Sequence, residues 1–311
     1  MTTDKGARIY VAGHRGMAGS AIVRRLRAGG YRNLLLRTRA ELDLLDQAAV
    51  GAFLGQEKPE YVFLAAGKVG GIAANNVQRA DFLYENLMLE ANVIHAAWQA
   101  GVGGLLFLGS SCIYPRDCPQ PIREEYLLTG PLEQTNEPYA IAKIDGLKLC
   151  ESYNRQHGAR CVSVMPTNLY GPNDNYDLES SHVLPALLRK THEAKIRGER
   201  QLVVWGSGKP RREFLHADDL ADACVFLMEH GIDDGLFNIG SGSDVEIREL
   251  VRIVMQVVGF DGEVVFDTTR PDGTPRKLLD VTRMKALGWT ASVDLWRGLQ
   301  STYEDFRSSA R

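Results

Sequence analysis

Ile9-Tyr10-Val11-Ala12-Gly13-His14-Arg15-Gly16-Met17-Ala18-Gly19 runs four apolar residues into glycines three apart, and a helical pattern from Met17 to Ala28 follows. A buried strand, a glycine turn and a helix N-terminus, in that order, make a cradle for a pyrophosphate. Gly13, Gly16 and Gly19 let backbone approach the phosphates, and the free N–H groups and dipole of the helix favour negative charge. GxxGxxG is looser than GxGxxG, so the strand–turn–helix context carries the dinucleotide reading over a plain tight turn.

Outward from that stretch, apolar runs at Leu34–Leu36, Tyr61–Leu64, Leu105–Leu108 and Val162–Val164 alternate with helical patterns over residues 47–54, 81–99 and 139–154. This rhythm predicts an α/β fold, a Rossmann-like doubly wound parallel sheet covered on both faces, with ligands held beyond the carboxyl ends of its strands. From Pro166 to Asp177 the chain is rich in Pro, Asn, Gly and Asp and predicts a loop. Helices are expected over 182–194 and 218–229, strands over 202–205 and 237–239, and a loop over 268–274. The dinucleotide-binding domain is expected to comprise 1–166 plus returning segments of about 213–240. A smaller α/β substrate lobe would take 167–212 and about 241–311.

At 311 residues, 44% hydrophobic and 24% charged, the chain can bury a sizeable core, and its net charge of −3 gives no electrostatic case for nucleic acid or an anionic membrane. The cluster Arg24-Arg25-Leu26-Arg27 is expected to be a solvated helix face. Five cysteines without CxxC spacing suggest reduced thiols, no zinc or other metal site, and a cytoplasmic protein.

The second strand bears on the dinucleotide. It runs into Arg37-Thr38-Arg39, with no acid before Glu41. An acid there holds a free ribose 2′-hydroxyl, whereas a 2′-phosphate needs cations, so NADP is expected, with Arg39 and Arg15 facing its phosphate. The alternative is that one or both arginines of the 37–39 segment are merely solvated. In Asp43-Leu44-Leu45-Asp46 the first residues flank the adenine, and Asp46 caps the next helix.

The reacting groups follow the fourth strand. Gly109-Ser110-Ser111-Cys112 supplies a hydroxyl and a thiol, and Tyr139-Ala140-Ile141-Ala142-Lys143 sets a phenol and an ammonium one helical turn apart. At about 4 Å and an effective dielectric of about 20, the ammonium would favour phenolate by about 4 kcal/mol at most, enough to bring a tyrosine toward neutrality as a general acid or base.

Together with Lys68-Val69-Gly70-Gly71-Ile72, Ser110-Ser111-Cys112-Ile113-Tyr114-Pro115, Pro166-Thr167-Asn168-Leu169-Tyr170-Gly171-Pro172, Trp205-Gly206-Ser207-Gly208 and Pro271-Asp272-Gly273-Thr274-Pro275-Arg276-Lys277, these motifs resemble the extended short-chain dehydrogenase/reductases. Within them the chain is similar to the 3,5-epimerase-4-reductases that turn GDP-4-keto-6-deoxy-D-mannose into GDP-L-fucose, from Gly13 to about Trp289. The resemblance implies that Cys112 and His182 exchange protons at C3 and C5, that Ser110 binds the keto oxygen, and that Tyr139, tuned by Lys143, donates a proton as NADPH reduces C4. It also implies cofactor contacts from His14, Met17, Leu108, Ser111, Pro166, Asn168, Leu169 and His182, and substrate contacts from Lys190, Trp205, Arg212 and Asp272. The family pattern has Arg where Lys190 stands. A homodimer through helices 81–99 and 139–154 is implied as well. The rivals are a one-centre, colitose-type epimerase, a simple C4 ketoreductase, and a non-catalytic NADP sensor.

Overall fold

The computed structural model describes residues 4–178, 180–270 and 272–309; Pro271 of the last quoted motif lies outside them. In chain order the elements are β1 (Ile9–Ala12), α1 (Met17–Ala28), β2 (Leu34–Leu35), α2 (Gln47–Glu57), β3 (Tyr61–Leu64), α3 (Ile72–Val77), α4 (Arg79–Gln99), β4 (Gly104–Leu108), α5 (Glu137–His157), β5 (Cys161–Pro166) and β6 (Asn168–Tyr170). There follow α6 (Val183–Arg197), β7 (Gln201–Trp205), β8 (Arg211–His216), α7 (Ala217–Glu229), β9 (Leu236–Ile239), β10 (Asp244–Glu246), α8 (Ile247–Val258), β11 (Glu263–Asp267), β12 (Arg276–Lys277), α9 (Thr282–Ala286) and α10 (Leu295–Ser309).

Six parallel strands in the order β2-β1-β3-β4-β5-β9 form the main sheet. Alternation along β1 decides its two faces. Ile9 and Val11 pack with Ile22 and Leu26 of α1 and Leu220 and Ala221 of α7, while Tyr10 and Ala12 pack with Leu54 of α2, Val93 of α4 and Leu147 of α5. The strand order reverses between β1 and β3, which opens a crevice at their carboxyl ends, the place where such sheets bind nucleotides. Arg24 and Arg25, expected to be solvated, instead tie α1 to α7 through Asp218 at 2.6 Å and Asp222 at 2.7 Å.

The smaller lobe has its own core of Leu184, Leu188, Val204, Leu250, Val254 and Leu299 between α6, α8 and α10. β8 is its hub, pairing with β10, β12 and β6. β6 lies inside the segment expected to be a loop; its three residues gain strand form only from β8. Residues 279–289 were expected in this lobe but return to the main domain, where Met284 and Trp289 enter the β-sheet core and Leu279 bridges to Ile122. Among the described residues, no helix is long and apolar enough to cross a membrane.

Candidate active site

The turn after β1 is built for close approach. Gly13 has φ +80°, and a Cβ there would lie 2.7 Å from the Ala65 carbonyl oxygen. A Cβ on Gly19 would sit only 2.2 Å from the Gly13 carbonyl oxygen. Gly16 caps α1 without a side chain, so the first-turn amides, beginning with Met17, point into the crevice with their dipole. Beside them His14 Nδ1 is buried without a hydrogen-bond partner. Free amides, a cradle closed to side chains and an orphaned polar atom fit a dinucleotide diphosphate.

At the end of β2 the two arginines part company. Arg37 pairs with Glu57 at 3.0 Å and lies over the Phe53 ring, so it serves the fold. Arg39 is 70% exposed, with only loose 3.7 Å contacts to Asp43 and Glu85. Arg15 is exposed in the glycine turn, so Arg15 and Arg39, unlike Arg37, are the arginines left open to solvent there. Asp43 accepts from the Leu45 amide, Leu44 is held by Asn92 through its carbonyl at 2.9 Å, and Asp46 caps α2 at Ala49 as expected.

The reacting groups gather where β4 ends. Leu108 gives its carbonyl to Lys143 Nζ at 3.0 Å, and a single 3-10 turn over Ser111–Ile113 then buries Ser111 and Cys112. The Ser110 side chain accepts from the Cys112 amide at 3.4 Å and lies close enough to the Cys112 thiol and the Tyr139 phenol to oppose the rise of each. Burial raises the Cys112 thiol above its ordinary range, with the Lys277 ammonium opposing. His182 is the N-cap residue of α6, with no capping hydrogen bond from its imidazole; protein crowds the ring although part of its surface is open, and burial and then Lys277 lower it. A thiol and a neutral imidazole are therefore the resting forms.

Tyr139 departs from expectation. Burial, then Cys112 and Glu90, raise its phenol well above the ordinary value, and Ser110 opposes only in part. Lys143 Nζ stands 5.8 Å from the phenol ring centroid and 2.9 Å from Glu90 Oε1, so its charge is largely compensated. The phenol is poised as an acid, not brought toward neutrality.

On the substrate side, Lys190 Nζ and the Arg270 guanidinium lie over the exposed Trp205 ring at 4.6 and 5.0 Å. Arg212 is partly buried with its guanidinium against Gly273. Asp272, expected among the substrate contacts, accepts at Oδ1 from the Ser207 amide at 2.8 Å and at Oδ2 from its hydroxyl at 2.6 Å, which clamps loops 206–208 and 272–274 together. Asn168, expected among the cofactor contacts, donates its side-chain amide to the Glu213 carbonyl at 2.8 Å, while Leu169 packs on the main core and Pro166 ends β5. The neighbouring Arg211 pairs with Asp244 at 2.8 Å.

Sequence reading gave no role to Glu90, Lys277 or Arg270. Lys277 stood inside a quoted motif, and that was its only signal. Glu90 had none, because its meaning lies in a contact with another helix. Among the described residues no cluster of His, Cys, Asp and Glu could hold a metal ion.

Residues 9–240 match the model of the NAD dependent epimerase/dehydratase family. GDP-L-fucose synthase 1 of Arabidopsis thaliana is 60% identical over 302 residues, 97% of this chain and 94% of that protein. GDP-L-fucose synthase of Escherichia coli is 57% identical over 308 residues, 96% of each. The solved structure of a GDP-L-fucose synthetase from Naegleria fowleri bound to NADP superposes with a TM-score of 0.90 at 26% identity, covering 100% of this chain and 96% of that one. The chain belongs to the NAD dependent epimerase/dehydratase family, among its GDP-L-fucose synthases.

Proposed function

We propose that this enzyme converts GDP-4-keto-6-deoxy-D-mannose to GDP-L-fucose, inverting C3 and C5 and then reducing the C4 ketone with NADPH. One observation carries the reading: Ser110 lies beside both Cys112, from whose amide it accepts, and Tyr139, which joins a proton-exchange site to a reductive site in one pocket. A plain ketoreductase has no use for Cys112 and His182.

C3 and C5 both flank the carbonyl, so either proton leaves through an enolate whose charge rests on the keto oxygen. Ser110 donates to that oxygen as the charge develops. One of the Cys112/His182 pair removes the proton and the other returns one on the opposite face. Lys277 lies within electrostatic reach of both, so its charge favours thiolate and opposes imidazolium. Bound NADPH supplies the hydride for C4. Tyr139, still protonated, gives its proton to the resulting C4 oxygen, and Lys143, its charge largely compensated by Glu90, is held one helical turn behind it. Gly13, Gly16, Met17, Gly19 and Arg39 would hold the cofactor, and Lys190, Arg212 and Trp205 the substrate nucleotide.

The same reading makes the enzyme a homodimer in the cytoplasm. The paired helices α4 and α5 expose Tyr84, Trp98 and Ile141, an apolar surface suited to a second copy, and the five cysteines are free thiols. The test of function is incubation with the keto sugar in D2O, with and without NADPH, followed by proton NMR. Deuterium at both C3 and C5 and NADPH-dependent GDP-L-fucose support the reading. Label at one carbon means a one-centre epimerase, and reduction without label means a simple reductase.

A further inference from the structure

Glu90 stands in the middle of α4 with its side chain wholly out of solvent, and the Lys143 side chain it faces is 3% exposed. Placing a carboxylate there costs several kcal/mol of desolvation that one ion pair does not automatically offset. The fold nonetheless makes room for it. Its Oε2 occupies the space a Cβ on Gly146 would fill, 2.5 Å away, and the Phe107 ring closes the same niche. Apart from the 2.9 Å ion pair with Lys143, neither oxygen has a hydrogen-bond partner. The carboxylate therefore anchors no backbone and caps no helix; Lys143 is its one polar contact. The titratable groups facing it are Lys143, Asp145, Tyr139 and Cys150, all on α5, while β4 presents Phe107.

We propose, resting on the reductive reading above, that Glu90 is a positioning residue of the reduction, whose carboxylate fixes the Lys143 ammonium and cancels its field at the Tyr139 phenol. Lys143 has three N–H donors. Leu108 O and Glu90 Oε1 take two of them and leave one. A lone ammonium on the turn after Tyr139 would push the phenol toward phenolate, which suits an alcohol oxidase. Reduction needs the opposite, a phenol that keeps its proton until the C4 oxygen becomes basic. Burial lifts the Glu90 carboxyl to about 7, so its charge is present at the alkaline pH where that phenol is at risk.

The experiment measures kcat for NADPH-dependent reduction against pH in the wild type, Glu90→Gln and Glu90→Asp. Alongside it, the phenolate absorbance of Tyr139 is titrated with NADP+ bound, as the difference from the matching Tyr139→Phe proteins. E90Q is expected to bring the alkaline limb of kcat down by about one pH unit or more, with Tyr139 losing its proton earlier. E90D, which keeps the charge one methylene farther back, shifts the limb the same way by less, and carries the test if E90Q does not fold. A folded variant that binds NADPH and keeps the wild-type limb and the wild-type Tyr139 titration overturns the proposal, whatever its kcat, because Glu90 is then packing alone. The titration needs no turnover. A wild type that does not reduce the keto sugar would sink the functional reading and leave this test standing.

Discussion

The Gly71 amide donates to the Ser180 carbonyl at 2.6 Å, and the Ser181 carbonyl oxygen stands 2.6 Å from where a Gly71 side chain would begin. The Lys68–Ile72 segment is thus the wall that sets the chain entering His182. Asn75 steadies it through the Gly70 and Gly71 carbonyls, and Asn86 through the Lys68 backbone. Gly71→Ala is expected to push Ser180–Ser181 outward and carry His182 with it. Misplacing an acid–base group by about 1 Å costs on the order of 100-fold in rate. Deuterium incorporation should fall by that factor while NADPH affinity, measured by fluorescence titration, holds; unchanged incorporation would remove the wall from the mechanism.

The resting forms of Cys112 and His182 predict the pH profile of the exchange. His182 is lowered from 6.5 and must charge for the acid limb to appear, so that limb lies below 6.5. Cys112 is raised from 9.0, so the alkaline limb lies above 9. The same bell arises whether the thiol–imidazole or the thiolate–imidazolium pair reacts, since both hold one proton between them. Initial rates of deuterium uptake across pH should be flat between the limbs. A limb inside that window contradicts the environments described for the pair.

How much of this was legible in the chain depends on the distance over which each feature is encoded. The Gly13–Gly19 turn and the Tyr139/Lys143 spacing are local: four apolar residues, a glycine period and a helical turn suffice, and the structure places them where the sequence predicts. β6 and β12 are three and two residues long and exist only because each pairs with β8, so composition alone read β6 as loop. Asn168 and Asp272 had the right chemistry for ligands, yet their polar atoms serve Glu213 and Ser207 in the fold. Glu90 sits among the helical residues of α4, and its partner lies on a different helix. No pattern within one element announces such a pair.

Arg39 tests the cofactor reading. It is the exposed member of the 37–39 pair, free to turn toward a 2′-phosphate, while Arg37 is held by Glu57. Arg39→Ala is expected to raise the NADPH Kd about tenfold, about 1.4 kcal/mol, and to leave NADH binding nearly unchanged. Because the arginine is exposed, the NADPH penalty should shrink as salt is added. Equal losses for the two nucleotides would show that Arg39 does not read the phosphate.

Lys277 separates its influence on the reacting pair from a part in holding substrate. Its ammonium lowers both the Cys112 thiol and the His182 imidazole, and Arg212 and Cys118 are its other charged or titratable neighbours. Lys277→Met removes that charge while keeping most of the side chain's length. His182 then holds its proton to higher pH, which moves the acid limb of exchange up. Cys112 loses the help that favoured thiolate, which moves the alkaline limb up as well. The whole bell should slide toward alkaline pH at saturating substrate. A lysine that only gripped the substrate would raise KM and leave both limbs in place. A downward slide would require the charge to act with the opposite sign, and the proximity of Lys277 to this pair would then be wrong.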